Sequence, residues 1–220
     1  YPIADFEITP DVAIVDPELA ETMPQKLVAH TGMDAMTHAV EAYVSTANCD
    51  YTDPLAIHAI EMIMNDLVPS YNGDMEARDR MHNAQCLAGM AFSNVGLGVV
   101  HGMAHPLGAI FDIPHGVANA LLLPVIMEFN APAALGKYVD IAKAMGVYVT
   151  GMSPEEAAKA AVDAVKALSV RVGIPQHLAE LGIKAGDLDR LAEAAFADVC
   201  TPGNPREVTK EIILELKKAL

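Results

Sequence analysis

Along most of the chain, apolar residues recur at intervals of three and four, the spacing that lines one face of an α-helix. The pattern runs unbroken from Pro24, which suits a first helical turn, through Val44. A second helix is predicted from Asp53 to about Tyr71, with Asp53 as N-cap and Pro54 at the first helical position. A third covers roughly Met75 to Ser93. LGVVHGMAHPLG can form a helix despite its glycines, which admit close neighbours. Another is predicted from His115 toward Phe129. SPEEAAKAAVDAVKAL is a strong helix signal, with Ser153 as cap, Pro154 at the first position and Glu156 completing a capping box. VGIPQHLAELGI reads as a loop with a short helical turn. NPREVTKEIILELKKAL closes the chain as an amphipathic helix with Asn204 as its cap.

Only the opening departs from this rhythm. YPIADFEITPDVAIVDPEL carries Pro2, Pro10 and Pro17, and DVAIVD reads as a short buried strand between turn formers. The expected fold class is therefore an all-α body, 21–220, behind a strand-like entrance, 1–20. No internal repeat or low-complexity tract interrupts it.

Composition narrows the possible functions. Apolar residues make up 52% of the chain, yet no stretch of about 18 runs without a polar break. The richest, GVANALLLPVIMEF, is interrupted by Asn119, Pro124 and Glu128 and reads as a buried core helix, not a membrane span. A formal charge of −15, from 14 basic and 29 acidic residues, argues against a nucleic-acid surface. Cys49, Cys86 and Cys200 are odd in number and far apart, which suits a reducing compartment, and a cytoplasmic location is expected.

One segment holds unusual chemistry. GLGVVHGMAHPLGAIFDIPHG, residues 96–116, places His101, His105 and His115 among glycines and apolar residues, with Asp112 its only charged group. Upstream, TGMDAMTHAVEAY puts Asp34 and His38 four residues apart, on one helical face. Two readings stay open on these residues alone. Each histidine can be a hydrogen-bonded core residue. Alternatively, Asp34, His38, His101 and His115 converge on a borderline divalent ion such as Fe²⁺ or Zn²⁺, since burying several imidazoles without partners is costly. A hard ion such as Ca²⁺ would need more carboxylates. His30, His58, His82 and His177 lack such company and read as structural or surface residues.

GMDAMTHAVEAYVS and GLGVVHGMAHPLGAIFDIPHGVANALLLP resemble the two signature regions of the iron-containing (group III) alcohol dehydrogenases. The resemblance continues through DVAIVDPEL, QCLAGMAFSN, DIAKAMGV and DVCTPGNPRE, over essentially the whole chain. It implies the helical, metal-binding C-terminal domain of a dehydroquinate synthase-like fold. Asp34, His38, His101 and His115 match the family's metal ligands, and His105 matches its non-ligand histidine beside the nicotinamide. Cys200 falls where a cysteine borders cofactor and substrate, and Phe92 and Leu97 would line the same pocket. For Cys200 and these two, simple packing is an equal alternative.

The activity so implied is hydride exchange between a small primary alcohol or diol and NAD(P), with Fe²⁺ favoured over Zn²⁺. The wording FSNVGLGVVHGMAHPLGA and DVCTPGNPREVT points toward members acting on lactaldehyde and propane-1,2-diol. The family's Gly-Gly-Gly-Ser phosphate loop occurs nowhere in these 220 residues. Residues 1–20 then read as the link to an N-terminal nucleotide-binding domain of the same polypeptide. The expectations are a piece that is inactive alone and that self-associates through the face this domain would cover. Two rivals remain: a metal-dependent hydrolase using Glu41 or His105 as base, and a non-catalytic helical domain.

Overall fold

The structure, a computed structural model, describes residues 5–218 and is entirely helical in its regular elements, with no strand among the described residues. Residues 1–4 and 219–220 lie outside them, including the first four of the predicted entrance. The described residues form α1 (Gln25–Val44), α2 (Asp53–Tyr71), α3 (Met75–Val95), α4 (Val99–Phe111), α5 (His115–Asn130), α6 (Leu135–Ala144), α7 (Pro154–Arg171), α8 (Leu188–Phe196) and α9 (Lys210–Lys218).

Helix α1 is the axis of the domain and packs against α2, α3 and α5. Its second half is buried almost all round, from Ala35 to Val44, which marks a central helix rather than a surface one. Helix α5 is likewise apolar on every side. The stretch His115–Ala133 has the length and composition of a membrane-crossing helix, but 72% of it is buried inside the domain, so it serves as core. Helix α7 packs against both α5 and α6, while α4 packs against α5 and α8, and α8 in turn against α9.

Two backbone features aim the histidine segment. Helices α3 and α4 meet at 104° across the short glycine-bearing break at 96–98. At the far end of α4, Asp112 takes a left-handed conformation (φ 55°), the exception that aspartate tolerates better than most residues. The turn it makes brings α5 back alongside α4 and α1. There Gly116 becomes indispensable: a Cβ at this position would sit 2.1 Å from the carbonyl oxygen of His30. The backbones of α1 and α5 thus touch at the first turn of α5.

Several sequence expectations meet the structure directly. The Ser153–Glu156 capping box forms as expected, with both reciprocal bonds present. The predicted strand DVAIVD does not form. Val12 and Ile14 are 75% and 86% exposed, and no described strand is there to pair with their backbone groups. Asn204 does not cap the last helix, which starts only at Lys210 beneath the Thr209 hydroxyl. Its amide is committed elsewhere, exchanging two bonds with buried Asn130 at 2.7 and 2.8 Å. The pattern read above leaves the short helices α6 and α8 unassigned.

Gly116→Ala should destabilise the domain by about 1–3 kcal/mol through forced separation of α1 and α5. Gly136→Ala is the control, since a Cβ there meets none of the described residues within 4 Å. Urea unfolding of both variants checks this; equal midpoints would contradict the close crossing.

Candidate metal centre

The α1–α5 crossing brings four side chains from three helices together. Asp34 and His38 project from α1, His101 from the first turn of α4, and His115 from the start of α5. One ligating atom from each lies within 4.8 Å of the others. The His38 and His101 rings stack at 4.7 Å, and His115 tilts against His101 at 5.3 Å. Asp34 Oδ1 lies 3.6 Å from His115 Nε2 and 3.9 Å from His101 Nε2. The His101 side chain is 1% exposed and that of His115 is 44% exposed, so the group is closed behind and open in front.

Each imidazole is prepared as a lone-pair donor. Burial pushes His38 down to about 4, against the opposing pull of Asp34, so its ring is neutral at neutral pH. His115 is also lowered, chiefly by burial. For His101 the tautomer is set by geometry. Its Nδ1 lies 2.6 Å from Glu41 Oε2, and a carboxylate can only accept, so Nδ1 carries the proton and Nε2 faces the cluster bare. Glu41 is itself 3% exposed and is fixed by the Val100 N–H, which donates to Oε1 at 2.7 Å.

Asn119, one turn beyond His115, closes the arrangement. Its Nδ2 donates to Asp34 Oδ1 at 2.5 Å and lies 3.0 Å and 3.1 Å from Nε2 of His115 and His101. Two amide hydrogens thus face three acceptors, while its own buried Oδ1 has no partner among the described residues. One carboxylate oxygen and three imidazole nitrogens, held by helices and backed by a carboxylate, fit a borderline divalent cation in both donor chemistry and support.

The other predicted residues fall around this cluster. Phe92 stacks on His38 at 4.3 Å. His105 lies parallel to His115 at 5.5 Å and edge-on to His101 at 5.9 Å. With Asp198 and Cys200 it forms a second polar group next to the first. Burial, reinforced by Asp198, pushes the Cys200 thiol up to about 12, so it is not a thiolate at neutral pH. Leu97 sits in the break between α3 and α4, its carbonyl pressed against Gly203. A cavity of about 610 Å³ opens beside Asp34 and His38, between α1, α3 and the segment around Pro24. Phe92, Leu97 and Cys200 are not among the residues that line it, whereas His82 is.

From the sequence, Glu41 stands only as a possible base, His82 has no site role, Asn119 is a break in an apolar run, and Asp198 carries no signal. Asn119 carried a usable signal: a polar residue four positions after His115, in an otherwise apolar helix. Asp198 joins the site from 93 residues beyond His105, a pairing that no local pattern reveals.

The chain is similar to known proteins over nearly its whole length. The family model described as "Fe-containing alcohol dehydrogenase family, C-terminal" matches residues 28–220. An NADPH-dependent butanol dehydrogenase of Clostridium saccharobutylicum is 53% identical over 99% of this chain and 56% of its own length. Lactaldehyde reductase of Escherichia coli (strain K12) is 55% identical over 94% of this chain and 54% of its own. The crystal structure of a 1,3-propanediol oxidoreductase superposes with a TM-score of 0.91 at 45% identity, covering 93% of this chain and 54% of that one. The chain therefore spans about half the length of the relatives it matches.

Glu41→Gln should weaken Zn²⁺ or Co²⁺ binding by about 10–100-fold, because the amide can present N–H to His101 and turn its proton toward the cluster. Competition with a chromophoric chelator measures this. Unchanged affinity would mean that Glu41 does not prepare His101.

Proposed function

The chain belongs to the Fe-containing alcohol dehydrogenase family, and from that premise we propose that it carries the metal and substrate half of an NAD(P)-linked dehydrogenase. The reaction proposed is the interconversion of a small primary alcohol or diol and its aldehyde. The observation that supports it most is the convergence of Asp34, His38, His101 and His115 on a cluster closed behind by Glu41 and open in front.

In this reading those four side chains hold Fe²⁺, with Zn²⁺ the next candidate for the same donors. The ion supplies Lewis acidity toward the alcohol or carbonyl oxygen. The chain's own residues do the rest. Glu41 keeps His101 Nε2 available, and Asn119 steadies Asp34. Phe92 fixes the His38 ring, and with Leu97 and Cys200 it borders the substrate. His105, beside the open edge, relays a proton or orients the nicotinamide ribose, and Cys200 lies near the cofactor. The dinucleotide itself is gripped mainly by a further domain of the same polypeptide, because phosphate recognition needs clustered backbone N–H groups at a Gly-rich turn. The location proposed is cytoplasmic and the assembly a homo-oligomer, a dimer in the simplest form.

Lactaldehyde and propane-1,2-diol are the favoured substrates, on the wording of residues 92–109 and 198–209. The comparable identity to a butanol dehydrogenase keeps short linear alcohols as the second choice. Within the hydrolase reading Glu41 is excluded as the base, since both its oxygens are engaged behind His101, and only His105 is left for that role.

The test is anaerobic reconstitution of the polypeptide that joins these residues to a nucleotide-binding domain, with each ion and each alcohol, following reduction of NAD⁺ or NADP⁺. Turnover with Fe²⁺ and propane-1,2-diol, lost to background in His101→Ala, is expected. Higher turnover with Zn²⁺ would overturn the choice of ion, and hydrolysis without nicotinamide would overturn the activity.

A further inference from the structure

The two histidines one turn apart on α4, His101 and His105, share a construction that only one of them needs for holding an ion. His101 Nδ1 is backed by Glu41; His105 Nδ1 is backed by Asp198, whose Oδ2 lies 2.7 Å away. In each pair the carboxylate's other oxygen is pinned by a backbone N–H, Val100 for Glu41 and Cys200 for Asp198, the latter at 2.9 Å. Each carboxylate is therefore held at both oxygens. The rings differ in access: His101 is 1% exposed and His105 is 41% exposed.

We propose that Asp198 is a positioning residue that holds His105 in its Nδ1–H tautomer, so that the ring's bare Nε2 accepts the hydroxyl proton of the alcohol. An acceptor-only partner at Nδ1 leaves no other place for the single proton of a neutral ring. The Asp198 side chain is 14% exposed, so little water competes for the bond. The ring lies parallel to that of His115, at an interplanar angle of 12°.

The local fold is arranged for this contact. Asp198 sits in the turn after α8, closed by its N–H donating to the Ala195 carbonyl and by the Thr201 hydroxyl donating to the same oxygen at 2.6 Å. A Cβ on Gly102 would fall 2.2 Å from that hydroxyl. Glycine between the two histidines thus lets α4 press onto the turn that carries Asp198.

The inference rests on the dehydrogenase reading above. On oxidation, the alcohol carbon releases hydride, with its two electrons, to NAD(P)⁺, giving NAD(P)H. The O–H bond breaks, its proton goes to His105 Nε2, and the carbonyl forms. The resulting imidazolium keeps Nδ1–H on Asp198, whose negative charge stabilises it. In the reverse direction the same proton returns to the oxygen.

The test reads the tautomer without using activity. Long-range ¹H–¹⁵N NMR of the Zn²⁺-loaded protein, well above the usual imidazole range of pH, distinguishes Nδ1–H from Nε2–H, and His105→Asn assigns the signal. Wild type should show Nδ1–H, Asp198→Asn should shift His105 toward Nε2–H, and Asp198→Glu should restore Nδ1–H. In the loaded enzyme, kcat of Asp198→Asn should fall by about 10²–10⁴-fold with KM and metal content unchanged, the range expected for lost general acid–base help. Nε2–H in wild type overturns the proposal outright, whatever the variants do. A shifted tautomer with unchanged kcat overturns the proton-acceptor role. A tautomer that behaves as stated in a protein oxidising no alcohol would refute the dehydrogenase reading while upholding Asp198 as the residue that positions His105.

Discussion

Where α5 crosses α1, no side chain stands between the two backbones. Gly116 lies against the His30 carbonyl with no room for a methyl group, and everything in the centre depends on that closeness. It sets His115 and Asn119 opposite Asp34 and His38, so that residues on two rigid helices face each other at bonding range. Helix α4 completes the group because the chain turns through 104° before it and reverses at Asp112 after it. Ligands carried on helices are held more precisely than ligands on loops. The extensive core on α1 and α5 is the price of that precision.

The polar groups follow the same logic of mutual constraint. An isolated imidazole in an apolar core loses its water and gains nothing. Here three of the four rings are answered by a neighbour: Glu41 behind His101, Asp198 behind His105, Phe92 over His38. What stays unanswered is concentrated in one place. Two imidazole nitrogens and a carboxylate oxygen share only the two hydrogens of Asn119, which leaves a local excess of acceptors that a cation relieves. A chain with a formal charge of −15 adds a field that favours cations.

How much of this could be read from the sequence depended on distance along the chain. The i, i+4 pairs Asp34/His38 and His101/His105 fix their faces locally, as do the Ser153 cap and the prolines that open α2 and α7. Partners brought by tertiary folding gave no such signal. Glu41 and His101 are 60 residues apart, and their pairing depends on how α1 meets α4. Asn204 has the composition of a helix cap, yet its amide bonds buried Asn130. DVAIVD has the apolar run and flanking turn formers of a short buried strand, but a run cannot supply the neighbour that a strand requires, and the described residues hold none.

The central claim is that Asp34, His38, His101 and His115 are the ligands of one ion. X-ray anomalous scattering at the iron edge, from crystals grown anaerobically with Fe²⁺, tests it most directly. The account predicts a single strong peak about 2.0–2.2 Å from an oxygen of Asp34 and from ring nitrogens of the three histidines. A peak at His105, Asp198 and Cys200 instead, or none within bonding distance of His101 Nε2, would contradict it.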